Sequence, residues 1–240
     1  MQPTDVMKTT FSARAFPSEP IPDAALYRIL DNARFASSGA NLQGWRVIVV
    51  RKRQIRRKLA DICIPVFQYY RAQDAAGEVP FNSITPTSVD PEMARSTPLR
   101  YPMLEHFDDP EKVPVVLVVA LDLSVVTAFD SNQDRIGVIG GASIYPFIWN
   151  ILLGARNEGL GGVLTTFLAA GEEKVQDVLG LPEHYAVAAI LSPGKRVKQL
   201  SKLGRHPVKS FTTTDCFTGR GVLRPKCRQP DFVSRSSTSS

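Results

Sequence analysis

Apolar residues fall into runs with two different periods, and these runs outline the elements. Leu26, Ile29, Leu30 and Ala33 follow an i, i+3, i+4, i+7 spacing behind Pro22, which predicts a helix to Ala33 with proline in its first turn. Arg46–Val50 instead predicts a strand with β-branched residues on both faces. Ile55, Leu59 and Ile62 predict a short basic helix that Pro65 ends. Val113–Leu121 is apolar at almost every position, as in a central strand covered on both faces, with Pro114 near its start. Ile139–Asn157 predicts a long helix. Its Ile144, Phe147, Ile148, Ile151, Leu152 and Ala155 are spread round most of the circumference, so it should be buried. The small residues Gly140, Gly141, Ala142 and Ser143 would allow another helix to approach closely, within the chain or across a subunit boundary. Glu158-Gly159-Leu160-Gly161-Gly162 stops this helix. Val163–Phe167 is a strand, Glu172–Leu179 a short helix ended by Gly180 and Pro182, and Tyr185–Leu191 the last core strand.

Between these elements lie four less regular stretches. Met1–Pro20 is polar and turn-rich, with Phe11 and Phe16 as anchors. Ala36–Trp45 is a loop of small and polar residues closing on a large aromatic ring, a composition suited to a cleft. Val66–Lys112 holds six prolines and interspersed aromatics (Phe67, Tyr69, Tyr70, Phe81, Tyr101, Phe107). We read it as a short helix near Phe67–Ala76 and then an excursion that either covers a site as a lid or packs on the core as an insertion. Lys195–Lys209 is basic and broken by Gly and Pro. No repeat and no linker between two cores is visible, so one α+β domain over 1–221 is expected, followed by a flexible, Ser-rich tail over 222–240.

The net charge of +6 resembles a nucleic-acid signal until it is located. Arg220–Ser240 carries five cations against Asp231 alone, which supplies +4 of it. Arg51–Lys58, the other basic run, reads as the exposed side of a helix. No nucleic-acid partner is expected. Cys63, Cys216 and Cys227 are few and widely spaced, and His106, His184 and His206 are equally scattered. Neither a disulfide framework nor a metal site follows, and a reducing cytoplasm is the simplest compartment. No signal-like or membrane-spanning apolar stretch is present.

Few side chains offer chemistry. Gly159-Leu160-Gly161-Gly162 follows a helix and precedes a strand, the reverse of a dinucleotide fingerprint. Walker and Gly-x-Ser-x-Gly patterns are absent, and no paired carboxylates stand out. Ser12-x-Arg14 could address one anion on an extended backbone, because side chains at i and i+2 share a face. Lys195, Arg196, Lys198, Lys202, Arg205 and Lys209 could hold a phosphate, or form a solvated face. If the chain is an enzyme, a cofactor is expected to carry the reaction.

Five elements in order resemble the FMN-dependent nitroreductase family. They are Ser12-x-Arg14-x-Phe16; Pro20-Ile21-Pro22 with its helix; Ala36–Trp45, where the family reads Ala-Pro-Ser-x-x-Asn-x-Gln-Pro-Trp; Gly141–Asn150 with Gly159-Leu160-Gly161; and Leu179-Gly180-Leu181-Pro182 with the basic Lys202/Arg205-His206-Pro207 segment. The resemblance covers Thr10 to about Phe211. It implies an α+β, nitroreductase-like three-layer fold, with a mixed, mainly antiparallel sheet flanked by helices. It also implies an intertwined homodimer with FMN at the subunit interface.

Carried over, Ser12 and Arg14 would contact the ribityl-phosphate and the pyrimidine edge of the flavin. Ser37, Ser38, Asn41 and Gln43 would line the ring and ribityl chain. Backbone groups of Leu164, Thr165 and Thr166 would face the ring near N5, and Lys202 and Arg205 would neutralise the phosphate. The implied activity is ping-pong hydride transfer through FMN, from NAD(P)H to nitroaromatic, quinone or related small acceptors. No catalytic side chain is expected. Other flavin reactions of the fold, dehalogenation or an oxidase/dehydrogenase, and a non-enzymatic flavin-binding role are the alternatives. The chain departs from the family where Thr10 and Phe11 replace an Arg pair. Ser37 and Gly44 replace two prolines, which should loosen the loop.

Overall fold

The structure, a computed structural model, describes residues 1–223. Most of the expected tail over 222–240 therefore lies outside the described residues. The chain forms two compact units, Met1–Lys202 and one that begins at Leu203. Within the first unit, β1 (Trp45–Val50), β2 (Val116–Asp122), β3 (Gly161–Thr165) and β4 (Tyr185–Gly194) form one sheet in the order β1-β2-β4-β3, every pairing antiparallel. One parallel bridge, Ser12 to Gly162, extends it at the β3 edge.

Alternation along β2 sets up two cores. Leu117, Val119 and Leu121 face α2 (Asp23–Ala33) and α6 (Tyr145–Asn157). Val116 and Val118 face the other side, with α3 (Arg53–Ala75), α5 (Pro102–Glu105) and α7 (Glu172–Leu179). The register against β4 slips between Val119 and Ala120, leaving Ala188 as an extra residue. That bulge is why Val187 and Ile190, an odd number of residues apart, share one face. The result is the three-layer α+β arrangement expected from the sequence. Where the two helices of the first core cross, Gly154 lies against the backbone of Ile29, and an added Cβ would stand 3.4 Å from the carbonyl oxygen.

Several expectations are corrected. Pro65 does not end a helix: α3 runs through it and absorbs the second helix expected near Phe67–Ala76. Proline there removes one hydrogen bond, at a cost of about 3 kcal/mol. The buried stripe Leu59, Cys63, Phe67 offsets it by continuing across the break. The helix expected from Ile139 instead begins at Tyr145, with Pro146 in its first turn, and Gly140–Ser143 lies in a 3-10 turn. A short helix, α1 (Pro3–Thr9), forms in the region read as turns. The excursion after α3 includes a short helix, α4 (Pro91–Ala94), and its distal part packs as core, with Met103 and Phe107 fully buried.

Arg56 also departs from the solvated reading of its basic run. It is 2 % exposed and donates to the carbonyls of Val50 (3.0 Å), Val113 (2.5 Å) and Pro114 (3.3 Å). Burial, reinforced by the charge of Arg51, pushes its pKa down. It ties the end of β1 to the segment entering β2.

Candidate functional site

The site is best built from the Ser12–Phe16 segment. Ala13 donates its N–H to the Gly162 carbonyl (2.9 Å), and Val197 donates to the Ala15 carbonyl (3.2 Å). Glycines permit this approach: a Cβ on Gly161 would stand 3.0 Å from that of Ala13, and one on Gly194 would stand 2.6 Å from the Phe16 ring. With Ala13 and Phe16 buried, Ser12 and Arg14 are left exposed.

Arg14 donates Nε–H to the Tyr101 hydroxyl (3.0 Å) and an Nη1 proton to the Ser12 carbonyl (3.2 Å). Its guanidinium carbon lies 5.4 Å from the Tyr101 ring centroid. Tyr101 in turn packs on Phe67 (4.8 Å between centroids) and edge-on to Phe167 (6.4 Å). Phe167 follows Leu164, Thr165 and Thr166 directly. Tyr101 thereby links Arg14 to Phe167, just beyond the end of β3, while Ser12 bridges Gly162 near the start of that strand. Thr165 is buried, and its Oγ1 has no hydrogen-bond partner among the described residues. Beside it, Val66, Tyr70, Pro80, Phe81, Thr166, Phe167, Ala169 and Ala170 line a largely apolar, solvent-open pocket of about 370 Å³. A cavity of similar volume, about 360 Å³, between β1, α3 and α7 is lined by none of the expected site residues.

The Ala36–Trp45 loop is pinned rather than loosened. Ser38 Oγ accepts the Gln43 N–H (3.0 Å), Gln43 Nε2 donates to the Asn41 carbonyl (3.2 Å), and the Gly39 N–H donates to Ser143 Oγ (3.1 Å). Ala40, Asn41 and Gln43 are held at φ of 48°, 55° and 52°. Asn adopts that left-handed conformation readily; for the other two it costs about 1–2 kcal/mol each. Gly44 is demanded by packing, since a Cβ there would stand 2.6 Å from the Val125 side chain. Trp45 stacks on Phe147, with centroids 4.6 Å apart and planes 3° from parallel.

This loop feeds β1, and Thr165 ends β3, at opposite edges of the sheet. Three inter-strand spacings separate them, about 14 Å. One chain therefore does not bring Ser37, Ser38, Asn41 and Gln43 together with Ser12, Arg14 and Leu164–Thr166.

The basic segment divides by role. Lys195 pairs with Glu19 (2.7 Å), and Arg196 donates to the Gly159 and Leu160 carbonyls behind α6. Lys202 is exposed at the end of the first unit. Arg205, in the second unit, donates Nη1 to the Gly204 carbonyl (2.6 Å). Thr10, where the family has Arg, is buried and returns its hydroxyl to the Val6 carbonyl (2.7 Å). Burial pushes the Cys63 thiol up to about 12, so it is unreactive at neutral pH. No cluster of three or more His, Cys, Asp or Glu residues is arranged for a metal ion among the described residues.

Sequence reasoning missed Tyr101. The only hint was the aromatic content of an otherwise unreadable stretch.

The sequence model of the nitroreductase family matches residues 7–195. The chain belongs to the nitroreductase family. Among curated proteins, an NADH dehydrogenase of Thermus thermophilus is 26% identical over 185 residues, 76% of this chain and 81% of that protein. Among solved structures, an oxidized iodotyrosine deiodinase bound to FMN and 3-iodo-L-tyrosine is similar with a TM-score of 0.63 and 19% identity, covering 90% of this chain and 100% of that one. The NADPH:FMN oxidoreductase of Vibrio harveyi complexed with NAD+ gives 0.61 and 19%, covering 90% and 77%. At these identities the structural likeness speaks for the fold. Among the described residues no helix is long and apolar enough to cross a membrane.

Proposed function

We propose that this nitroreductase-family chain is an FMN-dependent NAD(P)H oxidoreductase that reduces nitroaromatic, quinone or related small acceptors. The observation that carries this reading is the link from Arg14 through Tyr101 to Phe167, just beyond Leu164–Thr166, beside an apolar, aromatic-walled pocket, with Ser12 bridged to Gly162 on the same strand. The residues fit the cofactor. Arg14 has three N–H groups beyond those it gives to Tyr101 and Ser12. Thr165 Oγ1 is a buried polar atom without a partner among the described residues. Bound FMN would supply two-electron transfer between a nicotinamide and the acceptor.

The chain's own part is positional and electrostatic. Arg14 places a fixed positive charge against the electron-rich pyrimidine edge. Ser12 and Lys202 face solvent and are free to meet the ribityl-phosphate. The wall of Val66, Tyr70, Phe81 and Phe167 offers an apolar face to a flat apolar molecule.

We further propose a homodimer. Ser37, Ser38, Asn41 and Gln43, stranded at the far edge of the sheet, would complete the site of a second copy. Exposed Leu42, Phe129, Ile136, Val138 and Trp149 offer apolar surface for such a contact.

The test is anaerobic. NADH or NADPH should bleach the flavin of the loaded protein, and a nitroaromatic or quinone should restore its colour. Flavin that stays oxidised with both nucleotides would leave a binding protein rather than an enzyme. Likeness to the deiodinase raises dehalogenation as a second reading. Iodide release from 3-iodo-L-tyrosine by the dithionite-reduced protein would favour it.

A further inference from the structure

Tyr101 has two features that a packing residue does not need. Its hydroxyl oxygen accepts the Arg14 Nε–H at 3.0 Å, so the hydroxyl proton must point elsewhere, and no described residue accepts it. Its ring is clamped between Phe67 and Phe167, and the chain after it is anchored by buried Met103, Leu104 and Phe107. The hydroxyl is therefore held in place beside Arg14 by the core itself. Resting on the FMN reading given above, we infer that Tyr101 completes the flavin site: it fixes the Arg14 guanidinium and offers its own hydroxyl proton to the same electron-rich edge.

The geometry accounts for both parts. With Nε–H committed to Tyr101 and one Nη1 proton to the Ser12 carbonyl, the guanidinium plane is set, and one Nη1 and two Nη2 N–H groups remain to donate within it. Burial raises the pKa of the Tyr101 hydroxyl against the opposing pull of Arg14, so it stays a donor at neutral pH. Immobilising one long side chain alters affinity by roughly two- to tenfold, and a lost hydrogen bond by a similar factor.

The test uses the full chain with FMN itself as the probe. Dissociation constants are read from quenching of flavin fluorescence for wild type, Tyr101→Phe, Arg14→Ala, Arg14→Lys and the double variant Arg14→Ala/Tyr101→Phe. Urea midpoints and the two-electron potential of the bound flavin are measured alongside. Tyr101→Phe keeps the ring between Phe67 and Phe167. It should weaken FMN about tenfold and lower the potential, with the urea midpoint unchanged. In the Arg14→Ala background the same change should have a smaller effect, because only the direct hydroxyl contact is then lost and not the fixing of Arg14. Arg14→Lys keeps the charge without the Nε bond, and should resemble Tyr101→Phe even if that variant folds poorly. Wild-type affinity and potential in Tyr101→Phe would overturn the inference, as would independent, multiplying effects of the two changes. Failure of the unmodified chain to bind FMN would instead overturn the underlying oxidoreductase reading.

Discussion

Replacing Arg56 with Met tests whether this buried guanidinium is structural. Its three donations, to the Val50, Val113 and Pro114 carbonyls, join the end of β1 to the start of β2. Met has similar bulk and no donor. The Val50 and Val113 carbonyls would then lack their donor in the most buried part of the contact, at about 1–3 kcal/mol each. Removing a buried charge recovers part of that loss, because its desolvation is itself costly. The balance is a destabilisation of about 2–4 kcal/mol. With a urea m-value of roughly 2–3 kcal/mol/M for a domain of this size, the midpoint should fall by about 1–2 M with the slope unchanged. Circular dichroism in urea reads this directly. FMN affinity in buffer should be retained, because Arg56 touches none of the proposed site residues. An unchanged or raised midpoint would mean instead that desolvation of the charge outweighs its three hydrogen bonds, and that Arg56 is not a structural tie.

Other expectations follow from single contacts. Arg14→Ala should weaken FMN binding by about ten- to a hundredfold, the loss expected for a hydrogen-bonded charge; unchanged affinity in a fluorescence titration would remove Arg14 from the site. Gly154→Val should push α2 and α6 apart at Ile29 and cost about 1–3 kcal/mol, read as a lower thermal midpoint. Cys63 should stay unlabelled by iodoacetamide in the native protein and react only after denaturation, as mass spectrometry of the labelled peptides would show. Asp130 is held below the usual carboxylate range, first by the Val138 N–H and then by Arg135 and the Ile139 N–H, against the opposing effect of burial. Because the folded pKa is depressed, its contribution is complete above an unfolded value of about 3.9 and is lost as pH falls through the folded one. Acid, or Asp130→Asn at neutral pH, should therefore increase hydrogen exchange across 130–139.

The elements read correctly from sequence are those whose period is unbroken. The helix at 23–33, the strand at 45–50 and the helix at Glu172–Leu179 each carry one pattern and clear ends. Errors arose where tertiary packing overrode a local rule. Pro65 is tolerated because Leu59, Cys63 and Phe67 bury one stripe on both sides of it. Gly44 reads as a flexible replacement for proline, yet its lack of a Cβ is what lets Val125 approach. Arg56 reads as surface, because a sequence does not reveal that carbonyls at Val50, Val113 and Pro114 will converge on one guanidinium. On the site, Ser12-x-Arg14 was legible as an outward-facing pair. The separation of the Ser37–Gln43 loop from it needed strand order, which periodicity does not supply. Tyr101 needed the fold of a stretch that has no period at all.

The measurement that bears most directly on the account is a titration of the purified, flavin-free chain with FMN, followed by visible absorption and flavin fluorescence after removal of unbound ligand. Retained flavin bands at one FMN per chain, quenched fluorescence and a ligand-bound species of dimer size in solution are expected. A chain that emerges colourless at saturating FMN, with free-flavin fluorescence undiminished, would contradict it.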